Sequence, residues 1–156
     1  MFAKGTWLHS FVAEVVSIAL QLFIRALTAV RGIWVGVEPD EKPRIYYANH
    51  TSNGDLVLIL TAMPKGIRDK TRPVAAADYW FKSPQRRFAA ESVFNAVLID
   101  RNPETRSADE EPVAMMGAAV AEGSSLIIFP EGGRNMTDDK LLPFKTGLYH
   151  FLKENP

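Results

Sequence analysis

Two short apolar runs constrain this 156-residue chain most. Phe94-Asn95-Ala96-Val97-Leu98-Ile99 and Leu126-Ile127-Ile128-Phe129 have the length and β-branched content of buried strands, and each runs directly into charge, Asp100-Arg101 in one case and Pro130-Glu131-Gly132-Gly133-Arg134 in the other. Further strands are expected near 33–37, 44–48 and 73–77, alternating with helical segments. That alternation predicts an α/β fold with a mainly parallel central sheet flanked by helices. In such sheets ligands bind beyond the carboxyl ends of the strands, so residues following each strand are the candidates for function.

The junction after the second of these strands carries the sharpest chemistry. His50 and Asp55 lie five residues apart in Tyr46-Tyr47-Ala48-Asn49-His50-Thr51-Ser52-Asn53-Gly54-Asp55. On one continuous helix five steps rotate a side chain by roughly 140°, which separates them. With His50 in the loop and Asp55 in the first helical turn they converge, as a base and the carboxylate that orients it. The first-turn N–H groups then favour an anionic transition state. The competing interpretation is a helix cap, with Thr51, Ser52 or Asn53 at the N-cap, Asp55 complementing the helix dipole and His50 a bystander.

Composition excludes several classes. Lysine plus arginine equals aspartate plus glutamate at 18 each, so no overall field attracts nucleic acid and an anion site must be built locally. Cysteine is absent, which removes thiol catalysis, disulfides and thiolate metal sites. His9, His50 and His150 form no metal-binding spacing, so no metal site is expected. The dinucleotide glycine motif, the P-loop and the Gly-x-Ser-x-Gly elbow are all missing.

Along the chain, Thr6 to Arg31 has helical periodicity with a broad apolar face and a narrow polar stripe through Ser10, Glu14, Ser17, Gln21, Arg25 and Thr28. Its longest uncharged run, Val15 to Ile24, falls short of the roughly 20 apolar residues of a membrane span. It is expected to lie in a membrane interface or to cover the domain; a signal peptide is disfavoured by Glu14 and Arg25. Gly32 is expected to break this helix, and Met63-Pro64-Lys65-Gly66 to close the one after Asp55. Arg68, Lys70 and Arg72 suggest a solvated basic loop or, less simply, a contact with acidic headgroups, and Asp78-Tyr79-Trp80-Phe81-Lys82 a packed turn or an interfacial anchor. Pro84 opens a helix over 85–91 with Arg86 and Arg87 outward. Ser107-Ala108-Asp109-Glu110 reads as a capping box for a helix over 110–122. Left to their immediate neighbours, Arg101 would pair with Asp100 and Arg134 with Glu131.

Three blocks occur in order at strand ends: Asn49-His50-Thr51-Ser52-Asn53-Gly54-Asp55, Val97-Leu98-Ile99-Asp100-Arg101 and Phe129-Pro130-Glu131-Gly132-Gly133-Arg134. Together they closely resemble the glycerolipid acyltransferases, the family of 1-acyl-sn-glycerol-3-phosphate acyltransferases. The resemblance covers roughly residues 30 to 153. It implies that His50 deprotonates the acceptor hydroxyl with Asp55 as its partner, and that Arg101, Glu131, Gly132 and Arg134 shape the phosphate pocket, with Lys145 a further possible phosphate contact. It implies an acyl thioester on coenzyme A or acyl carrier protein as co-substrate, no metal or other cofactor, lysophosphatidic acid as acceptor, and a role in phospholipid biosynthesis. Membrane lipids become the expected partner and the cytoplasmic face of a membrane the expected location, with residues 1–31 as the amphipathic membrane-associating segment and 32–156 as the acyltransferase domain. Two departures from the pattern are visible. Gly133 replaces the usual Thr or Ser, and the family's last, proline-containing strand would follow Pro156, so the domain is expected to be truncated before it. Another lysophospholipid or lyso-aminolipid acceptor, and a catalytically inactive lipid-binding module, are the alternative readings.

Overall fold

The computed structural model describes residues 5–102, 104, 106 and 111–154. Its centre is a sheet of four parallel strands: β1 (Ile45–Tyr47), β2 (Thr71–Ala76), β3 (Val97–Ile99) and β4 (Ser125–Ile128), in the spatial order β1-β4-β2-β3. Helices α1 (Trp7–Thr28), α2 (Asp55–Ala62), α3 (Lys65–Asp69), α4 (Ala77–Trp80), α5 (Pro84–Phe88), α6 (Pro112–Ala121) and α7 (Gly147–Glu154) complete it, with a π-helical turn over Ala89–Val93 that continues α5. The expected parallel α/β fold is observed.

β4 shows why the apolar runs become inner strands. All four of its residues are buried, and because successive side chains point to opposite faces it feeds two cores. Leu126 and Ile128 pack with Val97, Ile99, Met116, Ala119 and Phe151 on one face. Ile127 packs with Leu56, Leu60, Met63 and Ile67 on the other. The sheet is therefore a middle layer between α6–α7 and α2–α3. In β4 the run Leu126-Ile127-Ile128 is continuously apolar, as a strand covered on both faces requires.

Four expectations change. Ile33–Val37 pairs with no strand: Trp34 packs inward, its ring 6.3 Å from Tyr46, while Ile33 and Val35 are 87% and 86% exposed. Alternation supplies two faces but no hydrogen-bonding partner, and the segment stays unpaired and bends at Gly36, φ 71°. Gly32 does not end α1 either. Ala29 does, at φ 49° with its N–H on the Arg25 carbonyl, whereas Gly32 passes so close to α2 that a Cβ there would lie 2.9 Å from the Ala62 carbonyl oxygen. The basic run is a set of structural contacts: Arg68 donates to the Met63 carbonyl, Lys70 pairs with Glu41, and Arg72, within β2, donates to the Asn95 carbonyl and Glu122. Finally, the helix opened by Pro84 turns from α to π at Ala89, with Ser83 capping its start by accepting from the Arg86 N–H. The Ser107–Glu110 box lies outside the described residues.

α1 leaves much of its apolar surface turned away from the body. Its body-facing side is mixed: Ala13 is buried and Val16 and Leu20 face the Pro84–Phe88 segment, while His9 Nε2 meets the Ser92 hydroxyl at 2.8 Å and Arg25 donates to the Thr61 carbonyl at 3.1 Å. Trp7, Phe11, Ile18, Leu22, Phe23 and Leu27 are at least half exposed on the other sides. By length and composition its 22 residues are enough to cross a membrane, although its longest uncharged stretch is not. Phe151 is 1% exposed and anchors α7 to the core. Phe151→Ala is expected to lower the unfolding free energy by about 3–5 kcal/mol, read from the denaturant midpoint.

Candidate active site

Parallel strands deliver their C-terminal ends to one edge of the sheet, and four loops meet there. The β1 loop brings His50 and the start of α2 brings Asp55. The β2 end brings Asp78, the β3 end Arg101, and the β4 end the turn Pro130–Arg134. A cavity of about 440 Å³ opens among them. Leu56, Val74, Ile99, Ile128 and Phe129 give it an apolar floor, Tyr79 and Trp80 one wall, and His50, Arg101 and Arg134 polar points on its lining. This suits a ligand with an apolar body and an anionic head. A larger cleft of about 690 Å³ runs under α1, but the one histidine there, His9, is engaged with Ser92.

His50 and Asp55 converge as a loop-plus-first-turn placement demands: Nδ1 lies 2.9 Å from Asp55 Oδ2. The same oxygen accepts from the backbone N–H of Thr51 at 2.7 Å and of Ser52 at 2.8 Å. A carboxylate only accepts, so Nδ1 carries the hydrogen and Nε2 is left with a lone pair. None of Thr51, Ser52 and Asn53 caps α2 with its side chain; Gly54 is the N-cap. The imidazole stacks on Phe129 with ring centroids 4.3 Å apart and an interplanar angle of 24°, which fixes its tilt. Burial by itself raises the Asp55 pKa. The Ser52 N–H, the His50 ring and the Thr51 N–H together outweigh burial and bring it below 3.8.

The peptide of His50 is held as firmly as its ring. Glu131, only 3% exposed, accepts from the His50 N–H through Oε1 at 3.1 Å and from the Leu142 N–H through Oε2 at 3.2 Å. The Asn135 N–H donates to the His50 carbonyl at 2.6 Å, while its side chain bonds Thr137 and the Asp139 carbonyl. Glu131 thus sits behind the cavity wall rather than on its surface, and no ion pair joins it to Arg134.

The two arginines differ. Arg101 is gripped by Asp78 through Nε at 3.1 Å and Nη2 at 2.6 Å, not by Asp100. That grip lowers the Asp78 pKa and raises that of Arg101. Arg134 is exposed on the cavity rim and has no ion pair among the described residues. Gly132 has φ 71°, and a Cβ there would meet the Lys145 side chain at 3.0 Å, so both the turn and the passage of Lys145 require glycine. Lys145 is tied to this turn by its N–H on the Pro130 carbonyl at 2.7 Å. Gly133 has open space around it. Asp78 and Asn135 are site residues to which the sequence assigned no role, and Phe129 appeared there only as the start of the third block; Asp78 carried a signal as the first residue of an aromatic cluster at a strand end.

An α/β domain that sets an imidazole with a free nitrogen beside an apolar cavity lined by arginines has the parts for general-base chemistry. The acyltransferase family model matches residues 29–155, and the chain belongs to that family. It is also 37% identical over 117 residues to a 1-acyl-sn-glycerol-3-phosphate acyltransferase from Cocos nucifera, a match covering 74% of this chain and 35% of that protein. The chain therefore spans about a third of the relative's length. No solved structure matches it.

Because the folded Asp55 pKa lies below its ordinary value, its stabilising contribution is present above the ordinary carboxylate range and is lost as pH falls through the lowered pKa. The gap between the thermal midpoints of the parent and Asp55→Asn is expected to narrow as pH falls through that acidic range.

Proposed function

We propose that the chain moves a fatty acyl group from an acyl thioester to the free hydroxyl of lysophosphatidic acid, giving phosphatidic acid in phospholipid biosynthesis. The observation that carries this reading is the Asp55–Nδ1 bond, which leaves Nε2 of His50 as a proton acceptor on a cavity that also presents Arg101 and Arg134. Nε2 takes the hydroxyl proton as the oxygen attacks the thioester carbonyl. The tetrahedral oxyanion collapses, the C–S bond breaks, and the imidazolium returns its proton to the departing thiolate. No covalent enzyme intermediate forms. Asp55 stabilises the imidazolium during the step, and the α2 N-terminus, whose Leu56 and Val57 line the cavity, is placed to stabilise the oxyanion.

Arg134, with no ion pair among the described residues, is the primary phosphate contact. Arg101 joins it from across the cavity and Gly132 lets the backbone approach; Lys145, packed along Gly132, can add a cation. Glu131 acts as a positioning residue for His50. The relative from Cocos nucifera bears the name of this activity. The outward apolar sides of α1 favour a peripheral or monotopic place on a membrane, on the cytoplasmic face, where coenzyme A and acyl carrier protein thioesters are made.

Two kinetic outcomes check the reading. His50→Ala is expected to lower kcat by roughly 10²–10⁴-fold in an assay of acyl-CoA or acyl carrier protein with lysophosphatidate; equal turnover removes His50 from the chemistry. Arg134→Gln is expected to raise KM for lysophosphatidate roughly ten- to a hundredfold while leaving KM for a monoacylglycerol, which has no phosphate, unchanged. An equal rise for both acceptors means that Arg134 does not recognise phosphate.

A further inference from the structure

Between α1 and the mouth of the cavity lies a surface that the proposed reaction does not use. Tyr79 and Phe81 are 39% and 46% exposed. The Arg86 guanidinium lies 4.7 Å from the Tyr79 ring centroid and that of Arg87 lies 4.8 Å from the Phe81 ring centroid. Lys82 is exposed beside them. On its other side α5 meets α1 across an apolar groove of about 460 Å³, with Val16 and Leu20 facing Pro84 and Phe88. The aromatic–cation face therefore adjoins α1 through this groove, where Val16 is 40% exposed, in one direction and Tyr79 and Trp80, the cavity wall, in the other.

These cations contrast with the rest of the basic side chains near them. Arg68, Lys70, Arg72 and Arg101 are committed to carbonyls or carboxylates. Arg86 and Lys82 have no ion pair among the described residues, and Arg87 gives only Nε to Glu91, at 3.1 Å. A guanidinium stacked on a ring keeps its in-plane N–H edges free, and those edges match phosphate oxygens. Aromatic rings with adjacent cations suit the headgroup layer of a bilayer, where rings sit at the interface and lysine or arginine meets anionic lipid.

We propose that Tyr79, Phe81, Lys82, Arg86 and Arg87 form a docking surface for anionic phospholipid headgroups, placed between the membrane-facing helix α1 and the entrance of the acceptor cavity. The proposal rests on the membrane reading of α1. It adds a second contact, electrostatic where α1 is apolar, that sets the cavity mouth against the lipid surface from which an acceptor enters. An acidic acyl carrier protein is the competing occupant; continuity with α1 and the two exposed rings favour lipid.

The test is co-sedimentation of the full chain with vesicles of phosphatidylcholine alone and of phosphatidylcholine with phosphatidylglycerol, comparing the parent with the double variants R86Q/R87Q and R86K/R87K. The parent is expected to prefer the anionic vesicles, by about fivefold per engaged cation. R86Q/R87Q is expected to lose most of that preference, R86K/R87K to keep most of it, and raised salt to abolish it. Binding to neutral vesicles, which reports α1, is expected to be the same in all three. Equal parent binding to both vesicles, or an undiminished preference in R86Q/R87Q, overturns the proposal. So does an R86Q/R87Q variant that partitions normally but binds acyl carrier protein more weakly. Failure of the parent to bind neutral vesicles counts instead against the membrane reading of α1.

Discussion

The main chain of His50 is fixed from two directions by the turn that follows β4, and the dyad depends on this before it depends on any side chain of its own. Glu131 takes the His50 N–H and the Asn135 N–H reaches the His50 carbonyl. Both anchors come from the segment after the most buried strand, so the position of the His50 loop is referred to the centre of the sheet. A buried carboxylate with both oxygens on backbone donors is an exacting device: an unsatisfied group left there costs about 1–3 kcal/mol. Seven residues, 48–54, separate β1 from α2, and Gly54 caps that helix without a side-chain bond.

Once the loop is held, the electrostatics follow. Asp55 is occupied by three donors and so stays ionised and oriented toward Nδ1. At the opposite side Asp78 neutralises Arg101 in place, leaving Arg134 as the uncompensated cation of the rim among the described residues. The cavity thus presents one free guanidinium and one already held straight by its carboxylate partner. The pairing gives up some attraction for a defined direction of approach.

How far the sequence discloses all this depends on the range of the interaction. His50 and Asp55 are five residues apart, and helix geometry alone states the one arrangement in which they meet. The apolar runs at 97–99 and 125–128 announce inner strands because burial on both faces leaves no room for polar alternation. Ile33–Val37 has the right composition, but pairing is a property of two strands, and β1 turns its hydrogen bonds to β4 instead. Glu131 lies at the expected strand end, yet whether it faces ligand or backbone is decided by Leu142 and His50, 11 and 81 residues away. Arg101 and Asp78 are 23 residues apart on separate elements. Nearest neighbours in sequence, Asp100 and Glu131, are the natural guesses for the two arginines; the fold supplies Asp78 to the first and no ion-pair partner to the second among the described residues.

The two polar clasps of α1 have a geometric consequence. A helix greased on every side could rotate about its axis in a lipid layer without penalty, and the domain hanging from it would turn as well. Here His9 and Arg25, four turns apart, clasp the body through Ser92 and the Thr61 carbonyl. Those two bonds index the helix like a keyed shaft. Any lipid contact that sets the angle of α1 also sets the compass bearing of the His50 loop, and the enzyme inherits an orientation rather than only a tether.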